Sequence, residues 1–160
     1  MHCQETLALV ILAQRGDPIP PWAPFIFVGG WFVVGFVISR LGWSSFATAH
    51  GDASRPPGPA YTSPHTQFGD WRASYNNVVR VVPCERGLWI CVMFLFRAFH
   101  PPFLLPWRSV VRVQRLSGWF IRGYRVHVED DSAGTIKIHL WSGFKEALAQ
   151  FRPDLLTEEP

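Results

Sequence analysis

Between Pro18 and Ser39 the chain carries no charged side chain. The segment reads PIPPWAPFIFVGGWFVVGFVIS, about 22 residues, close to the ~20 needed to cross ~30 Å of hydrocarbon as a helix. Asp17 and Arg40 close it at its two ends. The run predicts a single-pass membrane protein. Pro18, Pro20, Pro21 and Pro24 fall where a helix starts, and a first turn tolerates proline because its N–H groups have no intrahelical partner. The helix is expected to begin near Trp22. Gly29, Gly30 and Gly35 do not have the GxxxG spacing of a dimerising span.

The chain has 160 residues, which leaves room for one soluble domain of roughly 100 residues. Eight tryptophans are many for this length. Indole favours the water–bilayer boundary because most of the ring is apolar and its N–H needs a partner. Trp22 and Trp43 are about 21 residues apart, ~32 Å along a helix, and are expected at the two interfaces. A cleavable leader is not expected, because the residues before the short apolar stretch Leu7–Ala13 include no lysine or arginine.

The division expected from these signals is an N-terminal arm at 1–17, the membrane helix and its extension at 18–49, and a Pro/Gly/Ser-rich linker at 50–67. A β domain at 68–152 and an acidic tail at 153–160 follow. Within the β domain the hydrophobic period becomes two. Val79 and Val81 flank Arg80, and Tyr124, Val126 and Val128 alternate with Arg125, His127 and Glu129. Ile136, Ile138 and Leu140 alternate with Lys137 and His139. Seven strands are expected: Asp70–Tyr75, Val78–Pro83, Leu88–Phe96, Phe103–Pro106, Ser109–Leu116, Tyr124–Val128 and Thr135–Leu140. Leu88–Phe96 is apolar on both faces and reads as a central strand. Glu129–Gly134 reads as the turn of a hairpin. Ser142 is the expected N-cap of a closing helix whose apolar face is Phe144, Leu148 and Phe151, and Pro153 ends it.

Seven short strands closed by one amphipathic helix outline a partly open barrel of the pleckstrin-homology (PH) kind. Gly87-Leu88 opening one strand, and Pro106-Trp107-Arg108-Ser109-Val110-Val111 opening the next, resemble bacterial PH-like and GRAM-like domains. The stretch from Leu95 to Trp107, with Ser39-Arg40-Leu41-Gly42-Trp43 after an N-terminal span, is similar to a group of uncharacterised bacterial single-pass membrane proteins. The resemblance runs from Trp22 to Phe151 and implies an architecture. It carries no catalytic residues with it. It also implies a bacterial inner membrane. There the Lys/Arg bias, with Arg40 and Arg55 after the span against Arg15 balanced by Asp17 before it, predicts a cytoplasmic C-terminal domain.

Chemistry-bearing patterns are sparse. His2, His50, His65, His100, His127 and His139 form no HExxH or Cys/His zinc spacing, and no GxGxxG, GxxxxGK[ST] or GxSxG occurs. His127 and His139 sit on one face of the expected hairpin, where they could be cross-strand neighbours forming a two-His site with Glu129. Cys3, Cys84 and Cys91 have no paired spacing, and Cys84 and Cys91 read as small buried hydrophobes. No cofactor is expected.

Net charge is +3, and the span from Arg86 to Val128 has seven arginines and no Asp or Glu. These arginines are spread over several strands, so no nucleic-acid partner is expected. The most suggestive group is Arg115, Trp119, Phe120, Ile121, Arg122 and Arg125, an aromatic tip bracketed by guanidiniums that suits lipid phosphates or a protein partner. Together these features predict a membrane-anchored, non-catalytic binding or scaffold module with the bilayer and an unidentified protein as partners. A subunit of a membrane-associated enzyme complex, or less favoured a membrane-bound enzyme, is the alternative.

Overall fold

A computed structural model of the chain describes residues 20–69, 73–118 and 122–156. The chain divides into two compact units, Met1–Val34 and Gly35–Pro160. Helix α1, Ala23–Ile38, has no buried residue, and Phe25 and Phe27 are more than 70% exposed. With its continuation to His50 it is long and apolar enough to cross a membrane.

The continuation is where the second unit begins to pack. A π-helical turn, Ser39–Trp43, leads into α2, Ser44–His50. The helix kinks at Gly42 (φ 170°, ψ −44°), where a Cβ would stand 2.6 Å from the Cβ of Phe68. Glycine therefore lets the helix backbone lie against Phe68, and the kink turns the next two aromatics inward. Trp43 and Phe46 are buried in the core. Trp43 is thus not the interfacial anchor expected from the sequence. Its ring packs on Phe103 and Phe68, and its Nε1–H donates to the Pro101 carbonyl at 2.9 Å. The two demands that place indole at an interface, apolar contact and a hydrogen-bond partner, are met inside the protein.

Among the described residues nine antiparallel strands follow in two sheets. They are β1 Tyr61–Ser63, β2 Thr66–Phe68, β3 Ala73–Tyr75, β4 Val79–Cys84, β5 Gly87–Val92, β6 Phe103–Pro106, β7 Val110–Ser117, β8 Arg122–Asp130 and β9 Gly134–Trp141. The orders are β1-β4-β5-β6 and β3-β2-β9-β8-β7, two separate sheets, not one sheet closed on itself. Alternating residues of both, such as Val81, Ile90, Leu105, Val126 and Ile138, meet in one core. Helix α3, Phe144–Phe151, closes it with Phe144 and Leu148, while Phe151 is half-buried and stacks on Trp107. The cap of α3 is Gly143, with no side-chain hydrogen bond, and not Ser142. Ser142 contributes only its carbonyl, which accepts from Lys145 N–H at 3.0 Å.

Several expected bounds shift. The segment read as linker holds β1 and β2. Of the strand expected over Asp70–Tyr75, Ala73–Tyr75 is formed and residues 70–72 lie outside the described residues. The strand expected over Leu88–Phe96 stops at Val92. Met93 N–H makes one more bond, to the Val78 carbonyl at 2.9 Å, and then β4 offers no further partner. The chain turns into a 3-10 helix, Phe94–Phe99. Up to Val92 the reading holds: β5 is buried along its whole length. Its outer face is covered because Trp89, Val82, Cys91 and Leu104 form a second cluster, and Trp89 Nε1–H donates to the Asp52 carbonyl at 2.9 Å. Cys84 and Cys91 are free thiols. They pair with Gly87 and Arg80, at opposite ends of the β4–β5 ladder.

The turn after β8 is fastened by Asp130. Its Oδ1 accepts from Ser132 N–H at 3.0 Å and Ala133 N–H at 3.1 Å. Its Oδ2 accepts from His50 Nε2–H at 2.7 Å and from the Ser109 hydroxyl at 3.3 Å, tying the end of α2 to the hairpin. Burial pushes this carboxyl up. The hydrogen bonds from Ser132 and His50 outweigh it and hold Asp130 well below the usual carboxylate range. The unfolded chain takes up a proton near pH ~4 where the folded one does not, so the contribution is present above that pH and is lost as pH falls below it. Asp130→Asn should cost roughly 1–3 kcal/mol at neutral pH and flatten the acid limb of the stability curve. Urea unfolding between pH 3 and 7 reads both effects, and an unchanged acid limb would contradict this role.

Candidate functional site

The β7–β8 hairpin carries the residues singled out by charge. Cross-strand register sets Arg115 opposite Tyr124, Gln114 opposite Arg125 and Ser117 opposite Arg122. Gly123, at φ +155°, lies so close to the Leu140 carbonyl that a Cβ would collide with it, so this edge can be formed only by glycine. Arg115 and Arg122 line a cleft of about 890 Å³ with Tyr124, Ser142, Lys145 and Glu146. Three cations against one carboxylate make it suited to an anionic group. Lys145 was not picked out from the sequence. The available signal was its place in the first turn of a helix whose start faces the hairpin.

Trp119, Phe120 and Ile121 lie outside the described residues. Arg125 is separated from Arg115 and Arg122 by its own chemistry. Its Nε–H donates to His139 Nε2 at 2.8 Å, so that imidazole nitrogen is unprotonated. Burial, reinforced by the Arg125 guanidinium, pushes His139 down to about 4. His139 also packs on His65, whose Nδ1–H donates to Asn76 Oδ1 at 2.7 Å. The two-His arrangement with Glu129 does not form, because His127 faces Lys137 while His139 faces Arg125. Burial lowers His127 as well, with Arg125 next in effect, and its Nε2 is buried without a hydrogen-bond partner. Among the described residues no three His, Cys, Asp or Glu side chains are grouped to hold a metal ion.

Ser109, His50 and Asp130 come together without the order a nucleophile needs. Both the hydroxyl and the imidazole bond to the same carboxylate oxygen, and the hydroxyl is not held on the imidazole. A second polar group lies in the core. His100 Nδ1–H donates to the Phe96 carbonyl at 2.9 Å, and its Nε2 accepts from the Tyr75 hydroxyl at 3.0 Å. Burial pushes His100 down and Tyr75 up, so both are neutral and fix the packing around Trp43.

Register also orients the hairpin. Tyr75 pairs with Thr66, Thr66 with Ile138, Ile138 with Val126 and Val126 with Val113, and β3, β9 and β7 run in one direction. The Ser117 and Arg122 end of the hairpin therefore lies at the same end of the sheet as the turn after Tyr75. Met93 leaves β5 beside that turn. No known protein-family model, curated protein or solved structure matches the chain.

Proposed function

We propose that the chain is a membrane-anchored, non-catalytic binding or scaffold module, with a β domain of the PH-like kind. The observation that carries this reading is the contrast along one helical segment. From Ala23 to Ile38 no residue is buried and large apolar side chains face outward, while Trp43 and Phe46, on its continuation, are core residues. Hydrocarbon around the first stretch removes the cost of exposing it to water. The Lys/Arg bias of Arg40 and Arg55 supports a cytoplasmic β domain at a bacterial inner membrane. The Arg115, Arg122 and Lys145 cleft is the surface that would meet an acidic segment of a protein partner.

A photoreactive side chain at Lys145 of the full chain, in membranes of the native host, tests the binding role. One discrete protein adduct is expected, weakened when Arg115 and Arg122 are both changed to Glu. An adduct pattern no different from that of the exposed position Val111 would contradict it.

A further inference from the structure

The end of β5 carries an apolar and basic surface that the cleft does not explain. Phe94 is 87% exposed and Leu95 66%, with Met93 beside them. Single exposed apolar side chains are ordinary, but three in succession form the kind of patch that marks a contact surface. The 3-10 helix that bears them packs against the last turn of α1. Phe99 meets Phe36 edge-on at 5.5 Å, a Cβ on Gly35 would lie 3.7 Å from Phe99, and the Arg40 guanidinium sits 5.0 Å over Phe36. The patch thus adjoins the apolar turn Gly35–Ile38 that ends α1.

Beside it is a groove of about 220 Å³ lined by Arg55, Arg80, Arg97, Trp89, Cys91 and Phe94. Arg80 and Cys91 are cross-strand partners, and Arg97 lines the same groove as the Cys91 thiol. Among the described residues no carboxylate pairs with Arg55, Arg80 or Arg97; Asp52 is taken by Arg86 at 2.9 Å. Burial pushes the Cys91 thiol up despite the three guanidiniums, so the sulfur supplies no countercharge. Three cations therefore face one groove with no anion in it, and apolar side chains stand at its mouth.

We infer that Arg55, Arg80 and Arg97 seat the phosphate of an anionic phospholipid, while Met93, Phe94 and Leu95 enter the acyl region of the same leaflet. Guanidinium suits the partner because its planar fork bonds two phosphate oxygens at once. The apolar trio suits it because a free phosphate would leave those side chains in water. The inference rests on the membrane-anchored reading above.

The test uses the full chain in detergent micelles with equal amounts of phosphatidylglycerol and phosphatidylcholine of the same acyl chains, with retained lipid counted by native mass spectrometry. Phosphatidylglycerol should be retained in preference. Arg55→Gln/Arg80→Gln/Arg97→Gln should lower that retention at least about tenfold, because all three guanidiniums that attract the anionic headgroup are lost together. Arg108→Gln, an exposed arginine away from the groove, should leave it unchanged. Phe94→Ser/Leu95→Ser should weaken retention of both lipids. Equal retention of the two lipids, or a triple variant that keeps its phosphatidylglycerol, overturns the inference. Displacement of the lipid by equimolar inorganic phosphate overturns it too and marks a free-anion site. A chain that stays dispersed without detergent refutes the membrane reading itself, so the two failures are distinguishable.

Discussion

Replacing Trp43 with alanine should destabilise the Gly35–Pro160 unit by roughly 3–5 kcal/mol, the usual cost of truncating a fully buried large aromatic. Trp43 has no exposed surface, and its ring meets Phe103 at 4.9 Å, His100 at 5.3 Å, Phe68 at 5.5 Å and Tyr75 at 5.7 Å. Those neighbours come from both sheets and from the loop before β6, so they cannot collapse into the space without moving backbone. The Pro101 carbonyl would also lose its donor. Trp43→Phe is milder, because it keeps part of the ring contact while removing the N–H and three ring atoms. That variant should cost about 1–3 kcal/mol. Against a total stability of about 5–15 kcal/mol for an ordinary domain, the alanine variant should be partly unfolded at 37 °C. Urea titration of the full chain in detergent, followed by near-UV circular dichroism, reads the effect. A change below about 1 kcal/mol would mean that Trp43 sits at the bilayer surface, as its sequence position alone suggests.

Trp43 also shows where sequence reading stops. An indole about one turn past an apolar run satisfies an interface and a core equally well, and only the kink at Gly42 decides between them. That kink depends on Phe68, far away in sequence, which no local pattern reveals. The long strands were legible because their alternation extends over enough residues to outweigh noise: Val79–Cys84, Val110–Ser117, Arg122–Asp130 and Gly134–Trp141 fall close to their expected places. Tyr61–Ser63 and Thr66–Phe68 were not, since three residues in a Pro- and Ser-rich stretch carry no readable period. Their strand character comes from Val79–Val81 and Ile136–Ile138, with which they pair.

The candidate site was legible in part. The arginine pair Arg115 and Arg122 shares a cleft, as their places on one hairpin imply, but Arg125 turns to His139 on the neighbouring strand. Lys145 joins through a helix more than twenty residues away in sequence, and Arg55 meets Arg80 and Arg97 only because the segment before β1 covers the outer sheet face. Each of these is a tertiary juxtaposition; the place of Lys145 in a helix's first turn is readable from the sequence, but not that this turn meets the hairpin. The stretch Met93–Phe96 misled for the opposite reason. Its aromatic composition favours a strand, and it fails to be one only because β4 has ended.

Alkaline carbonate extraction measures directly whether the apolar helix is held in a bilayer. Membranes from cells expressing the full chain are washed at high pH, which strips peripheral proteins and leaves spanning ones. The chain should remain in the pellet. Val28 and Val33 lie near the middle of the run and are both more than half exposed. An arginine at such a depth costs about 2.5–3.5 kcal/mol, so Val28→Arg/Val33→Arg should prevent insertion and shift the chain to the supernatant. Release of the unaltered chain by carbonate, or pelleting of the double-arginine variant in equal amount, would contradict the membrane-anchored reading.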